Sequence, residues 1–187
     1  MSAHSPLLRR EQSQLLVVDI QDKLIGTIHR VDAMMDRARL VIAAARQLEI
    51  PITLSEQYPK GLGATEASLR EACGNAAPVF AKTAFSCLRD DALRHHLSAD
   101  PARRQLVIVG MEAHVCVLQT ALDAKAQGYE VFVAGDAISS RSASDVEAAK
   151  TRLMQADTTV ISAEMAFFEW LERAGASDFK ALAPLLK

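Results

Sequence analysis

The sequence predicts a three-layer α/β protein, in which a six-stranded parallel Rossmann-like sheet lies between two layers of helices. Two near-continuous apolar runs, "QLLVVDI" (14–20) and "RQLVIVGM" (104–111), are typical of parallel strands that are covered on both faces. Longer stretches between such runs carry apolar residues at helical spacing, as in residues 31–49. Alternation of strand and helix along a chain predicts a parallel sheet with helices on both faces.

The elements follow one another along the whole sequence. Strands are predicted at residues 14–20, 50–56, 78–83, 104–111, 130–137 and 158–163. Helices are predicted at residues 31–49, 86–99, 114–127, 142–157 and 164–175. Ser86 or Asp90 is a start signal for the second helix, and Gly128 ends the third. Ser142, with Asp145 three residues later, resembles a capping box before the fourth.

Composition is that of an ordinary globular protein. Half of the 187 residues are apolar and 24% are charged, and we expect one domain over residues 1–187. The net charge of -2 gives no broad positive surface, which argues against nucleic acid or anionic lipid as a partner. The chain has no apolar run long enough to span a membrane, and its N-terminal segment lacks the apolar stretch of a signal peptide. The sequence therefore predicts a cytoplasmic protein with a small-molecule partner, without nucleic acid or membrane.

Cysteine usage agrees with a reducing compartment. The three cysteines, Cys73, Cys87 and Cys116, are odd in number and show no CxxC spacing, so a disulfide framework is not expected. Nor do Cys73 and Cys87 combine with His95 and His96 at the spacing of a zinc site.

Polar residues stand at or just past the carboxyl ends of the predicted strands, the edge at which open α/β sheets bind their ligands. They are Asp19, Glu56, Lys82, the segment Met111–Cys116 and Asp136.

Three of these residues can act together. Cys116 lies in the first turn of a predicted helix, where the helix dipole and free N–H groups favour a thiolate and could hold an oxyanion. An isolated cysteine is more often buried and inert, and Lys82 alone could be a strand-end lysine that reaches solvent. A carboxylate at the end of a central strand, however, needs a cation or several hydrogen-bond donors. Lys82 would supply it and lower the pKa of the thiol, and Asp19 would accept or return the thiol proton.

The segments that contain these residues resemble those of a known superfamily. "LLVVDIQ", "AKTAFS" and "GMEAHVCVLQTALDAKAQGYEVFVAGDA" are similar to the signature segments of the isochorismatase-like cysteine hydrolases, which include the nicotinamidases. The resemblance extends from about residue 14 to residue 173. It implies a six-stranded parallel sheet between helices, and a catalytic triad of Asp19, Lys82 and Cys116.

The resemblance also implies a covalent mechanism. Asp19 accepts the thiol proton, and the thiolate of Cys116 attacks a carbonyl or nitrile-like carbon. The leaving amine takes the proton back, and water hydrolyses the thioester, while Lys82 holds the acid and the sulfur in place. The family has a non-proline cis peptide that falls here at Met111–Glu112, and the backbone N–H groups of Glu112 and Cys116 would form the oxyanion hole.

Two differences from the family narrow the expected substrate. Nicotinamidases carry a metal-binding Asp-x-His-x-x-x-His segment after the second strand, whereas this chain has "TLSEQYPKGLGAT", with Glu56 and no histidine. We therefore expect no metal and no other cofactor, and nicotinamide should be a poor substrate. Isochorismatases that cleave a vinyl ether do not use a cysteine, so Cys116 favours hydrolysis of an amide-type C–N bond. "SEQYPKGLGAT" and "MEAHVCV" most resemble the isochorismatase domain-containing subgroup.

Residues next to the triad are candidates for substrate binding. The Gly- and Pro-rich loop after the second strand should lie over the site. Gln21 is expected to brace this edge, and Glu56, Tyr58, Phe85 and His114 are candidate pocket walls. Each of these side chains could equally be an ordinary core or surface residue.

Alternatives come from other classes of protein. A dinucleotide-binding oxidoreductase would need G-x-G-x-x-G after the first strand, where this chain has "IQDKLIG". A non-catalytic scaffold that retains the fold, or a redox sensor that uses Cys116 with Cys87 nearby, stays open. The apolar face of "FFEWLERAG" is core or a subunit contact, and we expect a homo-oligomer.

Overall fold

The computed structural model describes residues 7–175 and 177–186. The first six residues, part of the N-terminal segment considered above for a signal peptide, lie outside the described residues, as do residues 176 and 187. In the described part of the chain, no helix is long and apolar enough to cross a lipid bilayer.

Six parallel strands form one sheet and confirm the predicted architecture. They are β1 (Ser13–Val18), β2 (Ile52–Gln57), β3 (Val79–Lys82), β4 (Gln105–Met111), β5 (Glu130–Ser139) and β6 (Thr159–Ile161). Their order across the sheet is β3-β2-β1-β4-β5-β6, and every neighbouring pair is parallel. The strand order therefore reverses between β1 and β4, where sheets of this type bind their ligands.

Helices connect the strands. They are α1 (Asp22–Ile25), α2 (Val31–Gln47), α3 (Pro59–Leu62), α4 (Ala67–Cys73), α5 (Asp91–Leu97), α6 (Leu118–Ala126), α7 (Ala143–Gln155), α8 (Ala163–Leu171) and α9 (Ser177–Leu182). The sequence did not predict the short helices α1, α3, α4 and α9. The helix predicted at 86–99 is split, because Ser86 caps a 3-10 turn at Cys87–Arg89 and Asp90 separately caps α5.

Both faces of the sheet are buried, as the apolar runs predicted. Successive strand residues point to opposite faces. Leu15 and Val17 of β1 belong to the apolar cluster that also contains residues of α2, α4 and α8. Leu16 and Val18 belong to the cluster formed with α5, α6 and α7. The helices thus cover the two faces and leave the carboxyl edge of the sheet to carry a site.

A glycine brings the two central strands close together at that edge. Gly110 of β4 pairs in register with Val18 of β1, and its φ angle of 121° lies in the region that favours glycine. A Cβ at this position would stand 2.1 Å from the Val18 carbonyl oxygen. Any other residue would push apart the strands that lead to Asp19 and to the Cys116 turn.

Candidate active site

A buried ion pair joins the carboxyl ends of β1 and β3. Asp19 directly follows β1, and Lys82 is the last residue of β3. Lys82 Nζ lies 2.8 Å from Asp19 Oδ2, and the side chains are 0% and 1% exposed, respectively. The strands are not neighbours, because β2 lies between them, so the long lysine side chain reaches across β2. Two opposite charges at this distance compensate each other for the loss of hydration.

The Lys82 ammonium is surrounded by oxygen acceptors. Besides Asp19, it donates to Gln57 Oε1 at 2.7 Å and to the carbonyls of Ala84 and Phe85 at 3.2 Å each. Burial, the largest single effect, favours the neutral amine, but Asp19, through its charge and its hydrogen bond, and the neighbouring Cys87 and Cys116 together outweigh it and raise the pKa of Lys82 above its usual value. Lys82 is therefore a fixed cation at neutral pH.

The other oxygen of Asp19 is also occupied. Ser55 Oγ donates to Asp19 Oδ1 at 2.7 Å, and the backbone N–H of Asp19 donates to the Ser55 carbonyl at 3.1 Å. Cys87 Sγ lies 3.5 Å from Ser55 Oγ and extends this chain of contacts. Asp19 itself has a φ angle of 52°, which is uncommon for a residue other than glycine. The carboxylate is thus held from both sides by residues of β2 and β3.

Cys116 is the third member of the cluster and rests as a thiol. Burial raises the pKa of Cys116 well above its usual value, and the charge of Asp19 and a hydrogen bond with it raise it further. Lys82 acts in the opposite direction but is outweighed. The expectation of a lowered thiol pKa is therefore wrong. It relied on the helix dipole and on Lys82, whereas burial and the Asp19 charge dominate. Cys116 lies in a π-helical turn, Ala113–Val117, before α6.

The same turn fixes the backbone around the sulfur. The Met111–Glu112 peptide bond is cis. The Glu112 carbonyl accepts from the N–H of Val115 at 3.1 Å and from that of Val117 at 3.2 Å, the two residues that flank Cys116. Cys116, which is 6% exposed, is thereby presented at the edge of the sheet by a closed turn.

Two predicted substrate-binding residues hold the loop after β2. Gln21 Oε1 accepts from Gln57 N at 2.7 Å, and its Nε2 donates to the carbonyls of Gln57 and Gly63 at 3.1 and 2.6 Å. Glu56 Oε1 accepts from the N–H and the hydroxyl of Thr65 at 2.7 and 2.8 Å. These contacts agree with the bracing role expected of Gln21, and direct substrate contact by either residue stays a prediction. Among the described residues, no three or more His, Cys, Asp or Glu side chains form a group that could hold a metal ion.

The remaining candidates lie around the triad. Tyr58 and Phe85 are 55% and 54% exposed, and both contact Lys82 through their backbones. His114 lies within the Cys116 turn, with Nδ1 2.9 Å from Ser140 Oγ. An aromatic ring that is half exposed beside the buried pair of Asp19 and Lys82 can contact a bound small molecule, and this role stays a prediction.

Asp136 lies apart from the triad. Its Oδ1 accepts from Ala163 N at 2.8 Å, and its Oδ2 lies 4.0 Å from Arg37 Nε. It lines a cleft of about 430 Å³ whose walls come from α2, β5 and α7 and do not include the triad. Its position near a strand end therefore correctly placed Asp136 toward the carboxyl edge of the sheet, but not beside Asp19, Lys82 and Cys116.

Sequence reasoning did not single out Ser55 and Gln57, which bind the ion pair directly. A signal for them was present, because side chains at positions 55 and 57 of a strand share one face. Gln57 also pairs in register with Lys82 across β2 and β3. Glu56, between them, points to the other face and binds the loop instead.

Comparison with known proteins agrees with this architecture. The Isochorismatase domain family matches residues 13–165. "Isochorismatase domain-containing protein 2" of Pongo abelii is 35% identical over 190 aligned positions, which cover 100% of this chain and 90% of the relative. "Secreted isochorismatase effector Isc1" of Phytophthora sojae is 33% identical over 94% of this chain and 84% of the relative, so a cytoplasmic location stays a prediction.

A solved structure has both a similar fold and a similar sequence. "MAR1 Ribonuclease from Caenorhabditis elegans" superposes with a TM-score of 0.90 at 34% identity, over 96% of this chain and 92% of its own. The family match covers most of the sequence, and the relatives align along nearly all of it. The chain therefore belongs to the isochorismatase family and has its hydrolase fold.

Proposed function

We propose that the protein hydrolyses a C–N bond of a small amide-type substrate through a thioester on Cys116. The observation that carries the proposal is the buried ion pair of Lys82 and Asp19 at 2.8 Å, with the Cys116 thiol near enough for both charges to act on its pKa. A nucleophile, a base in contact with it and a third group that orients the base are the parts that covalent catalysis needs.

The resting proton position determines the first step. Because the Cys116 pKa is raised, the sulfur keeps its proton until substrate arrives. Asp19 takes that proton as the sulfur attacks the carbonyl carbon, and the charge moves to the substrate oxygen. The backbone N–H groups of Glu112 and Cys116 are the proposed donors to this oxyanion.

The second half of the reaction returns the enzyme to its starting state. Asp19 gives its proton to the leaving amine as the C–N bond breaks, which leaves a thioester. Water then attacks the thioester carbon and loses a proton to Asp19, and the acid product departs as Cys116 recovers its proton. One water is consumed, and one amine and one carboxylic acid are formed. Lys82 remains protonated throughout and offsets the negative charge that moves between Asp19, sulfur and substrate oxygen.

A second candidate is cleavage of RNA, which the name of the Caenorhabditis elegans relative favours. The charge of this chain favours it less, because nucleic-acid binding depends on many phosphate contacts and the net charge is -2. The two functions differ in their use of sulfur. Amide hydrolysis through a thioester requires Cys116, whereas cleavage of a phosphodiester by its own 2′-hydroxyl requires only an acid and a base.

The experiment is a screen of small amides, ureido compounds, nicotinamide and a short single-stranded RNA against the wild type, Cys116→Ala and Cys73→Ala. Mass spectrometry of the intact protein should show an acyl adduct that maps to Cys116 with at least one amide. Turnover of that amide should fall at least about a thousandfold in Cys116→Ala and stay unchanged in Cys73→Ala, with far-UV circular dichroism retained. Amide turnover that survives in Cys116→Ala, or RNA as the only compound cleaved, would overturn the proposal.

A further inference from the structure

We propose that Gln57 is a positioning residue of the active site, which holds the Lys82 ammonium through an uncharged oxygen and so keeps the lysine charge available to the reacting sulfur. This inference rests on the function proposed above. It assigns a role in the reaction to a side chain that neither the sequence motifs nor the triad include.

The first argument is the number of acceptors around the ammonium. Lys82 Nζ has three protons and four oxygen acceptors, of which Gln57 Oε1 at 2.7 Å and Asp19 Oδ2 at 2.8 Å are the shortest contacts. No proton of Lys82 is left for substrate, so the lysine acts by its charge and its position. These two closest contacts determine that position.

The second argument is that the Gln57 amide cannot turn. Its Nε2 donates to the Thr83 carbonyl at 2.9 Å, which leaves Oε1 to face the ammonium. Its backbone N–H and C=O are both bound by the side chain of Gln21, which is itself tied to the Gly63 carbonyl at 2.6 Å. The amide oxygen is therefore held from the side chain and from the backbone at once.

The third argument is charge. With one carboxylate and one ammonium, the buried cluster is neutral at rest, and it stays neutral in the proposed reaction because Asp19 keeps the proton that sulfur loses. It carries one negative charge when the thiol loses its proton to solvent. A carboxylate at position 57 would have the same shape as the amide, but it would give the cluster one negative charge at rest and during the reaction, and two when the thiol ionises. Lys82 is also the group that favours ionisation of Cys116 against burial and Asp19. A second carboxylate on the lysine would weaken that effect.

The test compares Gln57→Glu with Gln57→Met, and uses Gln14→Glu as a matched control. Gln14 is a buried glutamine of the central strand β1, whose Nε2 donates to the carbonyls of Leu97 and Arg103 at 3.0 and 2.7 Å. It lies at the amino end of the sheet. Gln14→Glu therefore introduces a charge at a more deeply buried position than the partly buried Gln57, and away from Lys82.

Site-resolved alkylation of Cys116 by iodoacetamide is measured across pH, together with kcat, KM and thermal stability. Gln57→Glu should move the alkylation profile of Cys116 to higher pH by about one unit, which is about tenfold slower labelling at a fixed pH. We expect kcat on the amide found above to fall by a similar factor, with KM unchanged. Gln57→Met adds no charge and should move the profile in the same direction by less. Gln14→Glu should lower the melting temperature and leave the profile in place.

The outcomes distinguish a positioning role of Gln57 from a purely structural one. If both Gln57 variants lose stability but keep the wild-type alkylation profile, Gln57 is only structural and the inference fails. Should Gln57→Glu fail to fold, the profile and kcat of Gln57→Met decide alone. The alkylation measurement needs no substrate, so a wild type that cleaves no amide would remove the proposed function without deciding the role of Gln57.

Discussion

Two aspartates at the same edge of the sheet differ in almost every physical respect. Asp19 follows β1 and Asp136 lies near the end of β5, and the sequence placed both among its candidates. Asp19 is buried and has a lysine at 2.8 Å, with both side chains 1% exposed or less. Asp136 has an arginine, Arg37, at 4.0 Å, and these side chains are 36% and 46% exposed. The comparison teaches that position at the carboxyl edge of the sheet identifies a candidate site residue. Burial then determines how strongly its charge acts on neighbouring groups.

The physical reason is the strength of the electric field that a charge produces. In water-accessible surroundings the interaction between opposite charges is screened, and a pair contributes little. In a buried cluster the same charges act strongly on each other and on nearby groups, so the Asp19 charge works against burial at Lys82 and adds to burial at Cys116, and the pKa values of both are raised. Asp136 instead accepts a backbone hydrogen bond at the start of α8.

The largest expected effect comes from removing the cation at each of the two aspartates. Lys82→Met leaves Asp19 buried without a counter-charge, which should lower the free energy of unfolding by about 3–5 kcal/mol. Arg37→Met removes an exposed partner of Asp136 and should cost no more than about 1 kcal/mol. Urea denaturation of both variants at pH 7 measures the difference.

The double variant Asp19→Asn/Lys82→Met provides the control for that prediction. Because it removes the uncompensated charge, it should recover part of the stability lost in Lys82→Met, which is the behaviour of residues that interact directly. Equal losses for Lys82→Met and Arg37→Met would show that the burial of the first pair has no energetic consequence.

Much of this geometry follows from the sequence. Predicted and observed strand bounds agree within two residues, because continuous apolar runs determine which segments are buried in the sheet. The rule for strand ends then selected Asp19 and Lys82, which the structure brings into contact. The short helices α3 and α4 could not be predicted from periodicity, since four and seven residues give too few turns for a pattern.

The thiol pKa could not be predicted for a different reason. The direction of the shift depends on how deeply Cys116 is buried and on whether Asp19 or Lys82 lies closer to it, and neither is encoded locally. The roles of Ser55 and Gln57 likewise come from the register of β2 against β3, which places them beside residues that are distant in the chain. Local sequence thus indicates which groups meet, and tertiary packing determines the sign and size of their interaction.

A smaller effect concerns the dependence of stability on pH. Burial raises the pKa of Cys73 to about 11, against about 8.5 for an unfolded thiol. Since the folded value is higher, the contribution to stability is complete below about pH 8.5 and is lost as the pH rises toward 11. Each thiol shifted in this way lowers the free energy of unfolding by about 1.4 kcal/mol per pH unit in that window.

Urea denaturation between pH 8 and pH 10.5 distinguishes the contribution of Cys87 and Cys116 to this pH dependence from that of Cys73. Cys73→Ala should reduce the slope of the free energy of unfolding against pH by the contribution of one thiol. Asp19→Asn should also reduce the slope, because the Asp19 charge adds to the effect of burial in raising the pKa of Cys87 and of Cys116. Asp136→Asn should leave the slope unchanged. A wild-type stability that is flat across this range would contradict the raised thiol pKa values.

The smallest expected effect is that of Asp136→Asn itself. Asparagine keeps the Oδ1 that accepts from Ala163 N and loses only the exposed contact at 4.0 Å with Arg37. The free energy of unfolding should therefore change by no more than about 0.5 kcal/mol, and turnover should not change. Asp19→Asn, the same substitution at the buried position, should lower kcat at least about a hundredfold, because it removes the carboxylate that we propose as the base for Cys116. Parallel assays of the two variants on one substrate test burial directly, since the chemical change is identical and only the surroundings differ. If Asp136→Asn lowered kcat as much as Asp19→Asn, burial would not be what distinguishes the two aspartates, and the cleft beside β5 would have to take part in the reaction.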